Sequence, residues 1–189
     1  MASKNSMGFW KNILDYAGGA ALLVIFFPLL FILGFIITLR YGCSPVYTQQ
    51  RIGKKGKPFR IIKLRTIDRQ TIPTKDRFAK FLRKTNMDEL PQLLNVVLGK
   101  MSLVGPRPHL PEHVAMYEQW QRKRLEVKPG ITGLRQISQS GKLEFNELLE
   151  QDILYITSYR LGLDVTILLK TAKLQLLKIW FALVNRSML

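Results

Sequence analysis

Residues 16–39, YAGGAALLVIFFPLLFILGFIITL, carry no charge, and as a helix of about 24 residues they reach across a bilayer core of roughly 30 Å. The run marks residues 1–40 as a membrane-embedded segment and leaves 41–189 as a cytoplasmic or interfacial domain. A cleaved signal peptide competes with this, but the run is too long, and Arg40-Tyr41-Gly42-Cys43 offers no small-residue cleavage site. Pro28, near the middle, removes a backbone hydrogen bond and favours a kink or break. Lys4 and Lys11 precede the run, and Arg40, Arg51, Lys54, Lys55 and Lys57 follow it. A re-entrant helix broken at Pro28 returns both basic flanks to the cytoplasm, whereas a simple span leaves the smaller N-terminal set outside. Both paths stay open on charge alone.

Twenty-nine Lys and Arg against 13 Asp and Glu give a net charge of +16. That excess calls for an anionic partner: nucleic acid, phospholipid headgroups or a phosphorylated substrate. Cys43 is the single cysteine, so no intramolecular disulfide forms and the water-facing part belongs in a reducing compartment.

Beyond the membrane run, Val46-Tyr47-Thr48-Gln49 and Phe59-Arg60-Ile61-Ile62-Lys63-Leu64-Arg65 are strand-like and flank the turn-forming stretch Gly53–Pro58, which predicts a β-hairpin. Period-two geometry sets Lys63 and Arg65 on one face, either as a pair of cations for a phosphate or as a solvated edge. Helices are expected over 76–84, over 110–124 entered through Pro111, over 144–158, and over 164–184. The last is rich in Leu and Ile, is punctuated by Lys170, Lys173 and Lys178, and ends near Trp180 and Phe181. It suits a helix in the headgroup region or a core helix with snorkelling lysines. The expected fold is therefore α+β: mainly helical, with a small β-hairpin, an N-terminal re-entrant membrane helix and interfacial amphipathic helices.

Asp88 and Glu89 form an acidic island immediately before Leu90-Pro91-Gln92. Pro91 fits the first turn of a helix, which puts both carboxylates at its positive end, where they are expected to stay ionised. Capping alone would explain an isolated pair. In Gly105-Pro106-Arg107-Pro108 two prolines stiffen the backbone around one guanidinium, which suits a fork onto a phosphate. Pro129-Gly130-Ile131-Thr132-Gly133 is a second constrained turn, whose glycines would let backbone N–H groups approach an anion. His109 and His113 have the spacing of zinc ligands, but Pro111 lies between them and no third ligand is evident, so a structural role is expected.

Taken in order, Gln49-Gln50-Arg51-Ile52-Gly53, Lys63-Leu64-Arg65-Thr66, Phe81-Leu82-Arg83, Met87-Asp88-Glu89-Leu90-Pro91-Gln92, Gly105-Pro106-Arg107-Pro108 and Pro129–Gly133 closely resemble the bacterial sugar transferases, the monotopic polyprenyl-phosphate phosphoglycosyl transferases. The resemblance runs from Lys11 and Asp15 to Asp152, Tyr155 and Asp164. It implies an enzyme that joins a sugar-1-phosphate from a UDP-sugar to membrane polyprenyl (undecaprenyl) phosphate with Mg²⁺ and releases UMP, at the cytoplasmic face of a bacterial inner membrane and as the first membrane step of glycan assembly. It also implies Asp88 as nucleophile, through an aspartyl-phosphosugar, and as a metal contact, with Glu89 as its catalytic neighbour. Lys63, Arg65, Arg83, Arg107, Pro108 and Asp164 become substrate-binding residues. Neighbouring carboxylates on a helix point about 100° apart, which suits two different roles. Three departures stand out: Phe27-Pro28 where the family often has Ser-Pro, Lys100 where it has aspartate, and Ser138-Gln139-Ser140-Gly141-Lys142 where it has Asn-Gly-Arg. The alternative is a non-catalytic, membrane-tethered basic module binding acidic lipid or nucleic acid, whose affinity would fall steeply with salt and survive loss of Asp88.

Overall fold

The computed structural model describes residues 4–66, 76–138 and 145–184. From residue 139 on, the Ser138–Lys142 departure lies outside the described residues.

The apolar run forms part of a single helix, α1 (Lys4–Tyr41), 38 residues long with Pro28 inside it, or about 57 Å at 1.5 Å per residue. The helical assignment runs through Pro28. Proline costs a helix interior about 3 kcal/mol, and here packing on both sides of Pro28 opposes that cost. Leu22, Leu23 and Phe26 pack on one core, built from Ile61, Leu93, Val96, Met101, Leu103, Val104, Tyr155 and Ile167. Leu29, Leu30, Leu33, Ile37 and Tyr41 join a second with Leu64, Leu82, Phe78, Phe81 and Met87. Two glycines make the first contact possible. A Cβ at Gly18 would stand 2.9 Å from Leu103 Cδ1, and one at Gly19 2.9 Å from Val96 Cγ1.

Polar anchors tie both ends of α1 to the same domain. Near the start, Lys11 Nζ lies 2.8 Å from Asp164 Oδ2 and donates to the Val104 carbonyl at 2.9 Å. Asp15 Oδ1 accepts from Ser102 Oγ and from the Leu103 N–H, each at 2.9 Å. At the far end Tyr41 donates to Asp76, the residue that caps α2 (Arg77–Lys84) by accepting from the Phe78 and Ala79 N–H groups. The opposite face of α1, with Ile25, Phe27, Phe31 and Phe35 all exposed, remains apolar and uncovered by protein.

The predicted hairpin is present: β1 (Val46–Ile52) pairs antiparallel with β2 (Pro58–Leu64), Gln49 facing Ile61. Its turn uses Lys55 and Gly56 at φ 58° and 73°. The side chain of Asn95, in α3 (Gln92–Val97), staples that helix to β2, accepting from the Ile62 N–H at 3.0 Å and donating to the Arg60 carbonyl at 2.8 Å. A second, parallel pair joins β3 (Ser102–Val104) to β4 (Gly130–Thr132). Here Gly130 of the Pro129–Gly133 turn acts differently from expectation. The Gly130 N–H donates to Pro106 and the Gly105 N–H to Thr132, and a Cβ on Gly105 would meet the Lys128 carbonyl oxygen at 2.6 Å. Gly105 and Gly130 permit chain-to-chain approach, and their N–H groups are taken up by backbone carbonyls of the facing chain.

The helix expected over 110–124 is divided into α4 (Pro111–Ala115) and a 3₁₀ turn over Gln121–Glu126. The cause is local: the Gln121 side-chain oxygen accepts the Glu118 N–H at 2.9 Å, a bond that competes with continued helix. After α5 (Leu134–Ile137), the last two helices, α6 (Phe145–Thr157) and α7 (Leu161–Val184), follow the predicted spans closely. In α7 only Asp164, Ile167 and Ala182 are buried, and Leu169, Leu176, Trp180 and Phe181 are exposed.

Candidate active site

Three chain segments converge on the acidic pair. The chain leaves α2 through Asn86, whose left-handed conformation (φ 53°) suits an asparagine, and Met87–Glu89 then forms a 3₁₀ turn of its own ahead of α3. Because Asn95 fastens α3 to β2, Lys63 of β2 is carried to Glu89, its Nζ 2.7 Å from Oε1. The proline-flanked loop after β3 brings in Arg107, whose Nη2 lies 2.7 Å from the same oxygen, with Nη1 3.5 Å from Oε2.

The two carboxylates therefore have opposite electrostatics. Burial pushes Glu89 up, but Arg107 and Lys63, through charge and hydrogen bonds, more than offset it and bring its pKa down to about 2. Burial also pushes Asp88 up, the Glu89 charge adds to it, and Lys63 and Arg107 offset only part, leaving its pKa at about 6. A pKa of about 6 still leaves Asp88 mostly ionised at pH 7, as expected, but far less firmly than Glu89. The carboxylates precede α3 by a turn of their own, and their states are set by burial and by which of them holds the cations. Among the described residues no ion pair engages Asp88. Glu89 is clamped; Asp88 is desolvated, more basic than usual and available.

Arg51, which motif spacing left without a separate role, belongs to this site. It donates to the Pro108 carbonyl at 3.3 Å, and its Nε is buried without a hydrogen-bond partner. Burial, then repulsion from Arg107, pushes its pKa down, with Glu89 among the charges opposing that. Arg51, Lys63 and Arg107 against Asp88 and Glu89 leave one net positive charge when both carboxylates are ionised, so the site favours an anion.

The other sequence-predicted residues are placed as follows. Pro108 belongs to the Arg107 loop through the Arg51 bond. Arg65 donates to the carbonyls of Ser44 and Val46 at 2.8 and 3.2 Å, securing the base of the hairpin, and Arg83 donates to the Thr66 carbonyl at 2.9 Å. Asp164 is fully buried, and its carboxylate is engaged by Lys11 and by Tyr155 Oη at 2.7 Å, in the anchor of α1 rather than beside the acidic pair. His109 is structural as expected: burial, then Arg124 and Arg135, press its pKa down to about 2.

Among the described residues no cluster of three or more His, Cys, Asp or Glu side chains could hold a metal. A single available carboxylate beside an anion site nevertheless suits Mg²⁺, which commonly takes one or two protein carboxylates together with substrate phosphates and water.

The profile of the bacterial sugar transferase family matches residues 6–178. The chain is 38% identical over 147 residues to an uncharacterized sugar transferase, EpsL, of Bacillus subtilis, covering 73% of each. It is 38% identical over 185 residues to the UDP-glucose:undecaprenyl-phosphate glucose-1-phosphate transferase of Caulobacter vibrioides, covering 85% of this chain and 67% of that one. It is 33% identical over 200 residues to the undecaprenyl-phosphate galactose phosphotransferase of Salmonella typhimurium, covering 92% of this chain but 42% of the relative's length. The chain thus spans well under half of its longer relatives.

Proposed function

The chain belongs to the bacterial sugar transferase family, and from that premise we propose that it transfers a sugar-1-phosphate from a UDP-sugar to membrane polyprenyl phosphate, releasing UMP. The observation that carries this is the division between two adjacent carboxylates, Glu89 held by two cations and Asp88 desolvated and unpaired. A carboxylate that has lost solvent and has no cation partner is a stronger nucleophile than one locked in ion pairs.

In the first step an Asp88 oxygen attacks the β-phosphorus of the UDP-sugar. The bond from that phosphorus to the bridging oxygen breaks, and UMP leaves with the electron pair. In the second, a phosphate oxygen of the polyprenyl phosphate attacks the same phosphorus, the aspartyl bond breaks, and the carboxylate is regenerated. Arg107 and Lys63 face the diphosphate and offset its charge, and the Arg51 guanidinium adds positive charge nearby. Asp88 would hold Mg²⁺, which when bound supplies further charge neutralisation on the diphosphate. Glu89 keeps Lys63 and Arg107 in register. The relatives' names place glucose and galactose among the sugars to try first. Purified protein with undecaprenyl phosphate and Mg²⁺ should release UMP from at least one of UDP-glucose, UDP-galactose and UDP-N-acetylglucosamine at a rate above the acceptor-free control; no release from any of a broad UDP-sugar panel contradicts the proposal.

The same reading places residues 1–40 in the inner membrane as a segment that enters and returns on the cytoplasmic face, with 41–189 as the catalytic part on that face and α7 in the headgroup region. Its support is that Lys11 and Tyr41, at opposite ends of α1, are both bonded into one domain, which a straight span would separate by a bilayer. In a Cys43→Ser background, single cysteines at Gly8 and Ser44 should both resist an impermeant thiol reagent in spheroplasts and react after lysis. Labelling of position 8 from outside would overturn the re-entrant path.

A further inference from the structure

The stiff loop that presents Arg107 is held by its carbonyls. Pro106 accepts from the Gly130 N–H at 2.9 Å and His109 from the Ile52 N–H at 3.0 Å, while Pro108 accepts from Arg51. The carbonyl of Arg107 itself accepts from Arg124 Nη2 at 2.8 Å. Pro106 and Pro108 have no N–H to contribute, so these acceptor bonds carry much of the loop's placement.

Arg124 is unlike the other donors. Its side chain is 3% exposed, and it is paired with an Asp152 side chain that is 1% exposed, at 2.8 Å. Its Nε donates to Asp152 Oδ2 at 3.0 Å, Nη1 donates to Tyr117 Oη and lies 3.2 Å from His109 Nδ1, and Tyr117 Oη lies 2.7 Å from that same nitrogen. A buried guanidinium is costly unless its donors are matched. Here Asp152 on α6 supplies the countercharge, a neutral His109 supplies an acceptor, and one Nη2–H bond is directed to the residue whose side chain clamps Glu89.

We propose that Arg124, fixed by Asp152, is a positioning residue that sets Arg107 for its phosphate by holding the Arg107 carbonyl. The proposal rests on the transferase reading above. It does not make Arg124 touch substrate. A displaced carbonyl shifts the Arg107 backbone and swings the fork, and misplacement of about 1 Å at a reacting centre costs on the order of 10²-fold in rate.

The test is a double-mutant cycle in full-length protein in nanodiscs, with undecaprenyl phosphate and the UDP-sugar of the panel that turns over fastest. Arg124→Lys keeps the charge beside Asp152 but cannot reach all four partners, and should lower kcat/KM by about tenfold or more. In an Arg107→Ala background the same change should cost less than about twofold, because the group it positions is gone. Arg122→Lys, exposed on the same turn, should leave activity unchanged. Equal fold losses in both backgrounds would mean that Arg124 only supports the fold and would overturn the proposal. If Arg124→Lys fails to fold, Asp152→Asn goes through the same cycle with the same two outcomes. An inactive wild-type protein would instead defeat the transferase reading, and this one with it.

Discussion

Asp88→Asn should abolish UMP release, by at least about three orders of magnitude, while making the protein more stable at neutral pH. The first effect follows because an amide is a far weaker nucleophile than a carboxylate, and removing a nucleophile disables both halves of a covalent mechanism. The second follows from linkage. The folded-state pKa of about 6 lies above the ordinary value of 3.8, so between those values the folded chain binds more protons and stability falls as pH rises. By pH 7 the ionised Asp88 costs on the order of 3 kcal/mol, which a neutral amide does not. Thermal melts at pH 7 should therefore show the variant several degrees above wild type, with the difference gone by about pH 3, below both pKa values, where the aspartate is protonated folded or unfolded. Loss of activity accompanied by a lower melting temperature at pH 7 would mean that the residue is structural.

Glu89→Gln should also be severely impaired, by on the order of 10²-fold, with the opposite stability change. Its folded pKa of about 2 lies below the ordinary 4.5, so it contributes stability above about pH 4.5 that is lost as pH falls through about 2. At pH 7 the glutamine variant forfeits that contribution and leaves Lys63 and Arg107 without their shared carboxylate. It should also move the titration of its neighbour. With the Glu89 charge gone and two cations released toward Asp88, the Asp88 pKa falls. The acid limb of kcat/KM against pH, expected near pH 6 in wild type, should shift to lower pH in the variant. A limb that stays in place would mean that the two carboxylates do not sense each other.

Much of this was legible in the sequence, for reasons that can be located. The hairpin and α2, α6 and α7 follow from strand alternation and helical periodicity. The division of the 110–124 helix was not legible, because it depends on Gln121 folding back onto Glu118 and on Tyr117 and Arg124 being drawn inward to His109. The helical assignment of α1 runs through Pro28, with residues on both sides of it packed on the domain's cores. The site residues Asp88, Glu89, Lys63 and Arg107 were nameable from their motifs. The opposite pKa shifts of the carboxylates were not, since they turn on Lys63 and Arg107 both arriving at Glu89. Arg51 was visible in Gln49-Gln50-Arg51, but only the fold shows its buried, unpartnered Nε. Arg124, shortly before Pro129, carried no signal of its Asp152 partner beyond sequence order.

The central claim is that Asp88 forms a covalent bond to the phosphosugar, and it is tested most directly without acceptor. Enzyme mixed with Mg²⁺ and the active UDP-sugar, but no polyprenyl phosphate, should release UMP in an amount no greater than the enzyme present. Intact-protein mass should rise by one phosphosugar, and digestion should place it on Asp88. No UMP until acceptor is added, with no adduct trapped, would contradict the claim and leave a direct, single-displacement transfer in its place.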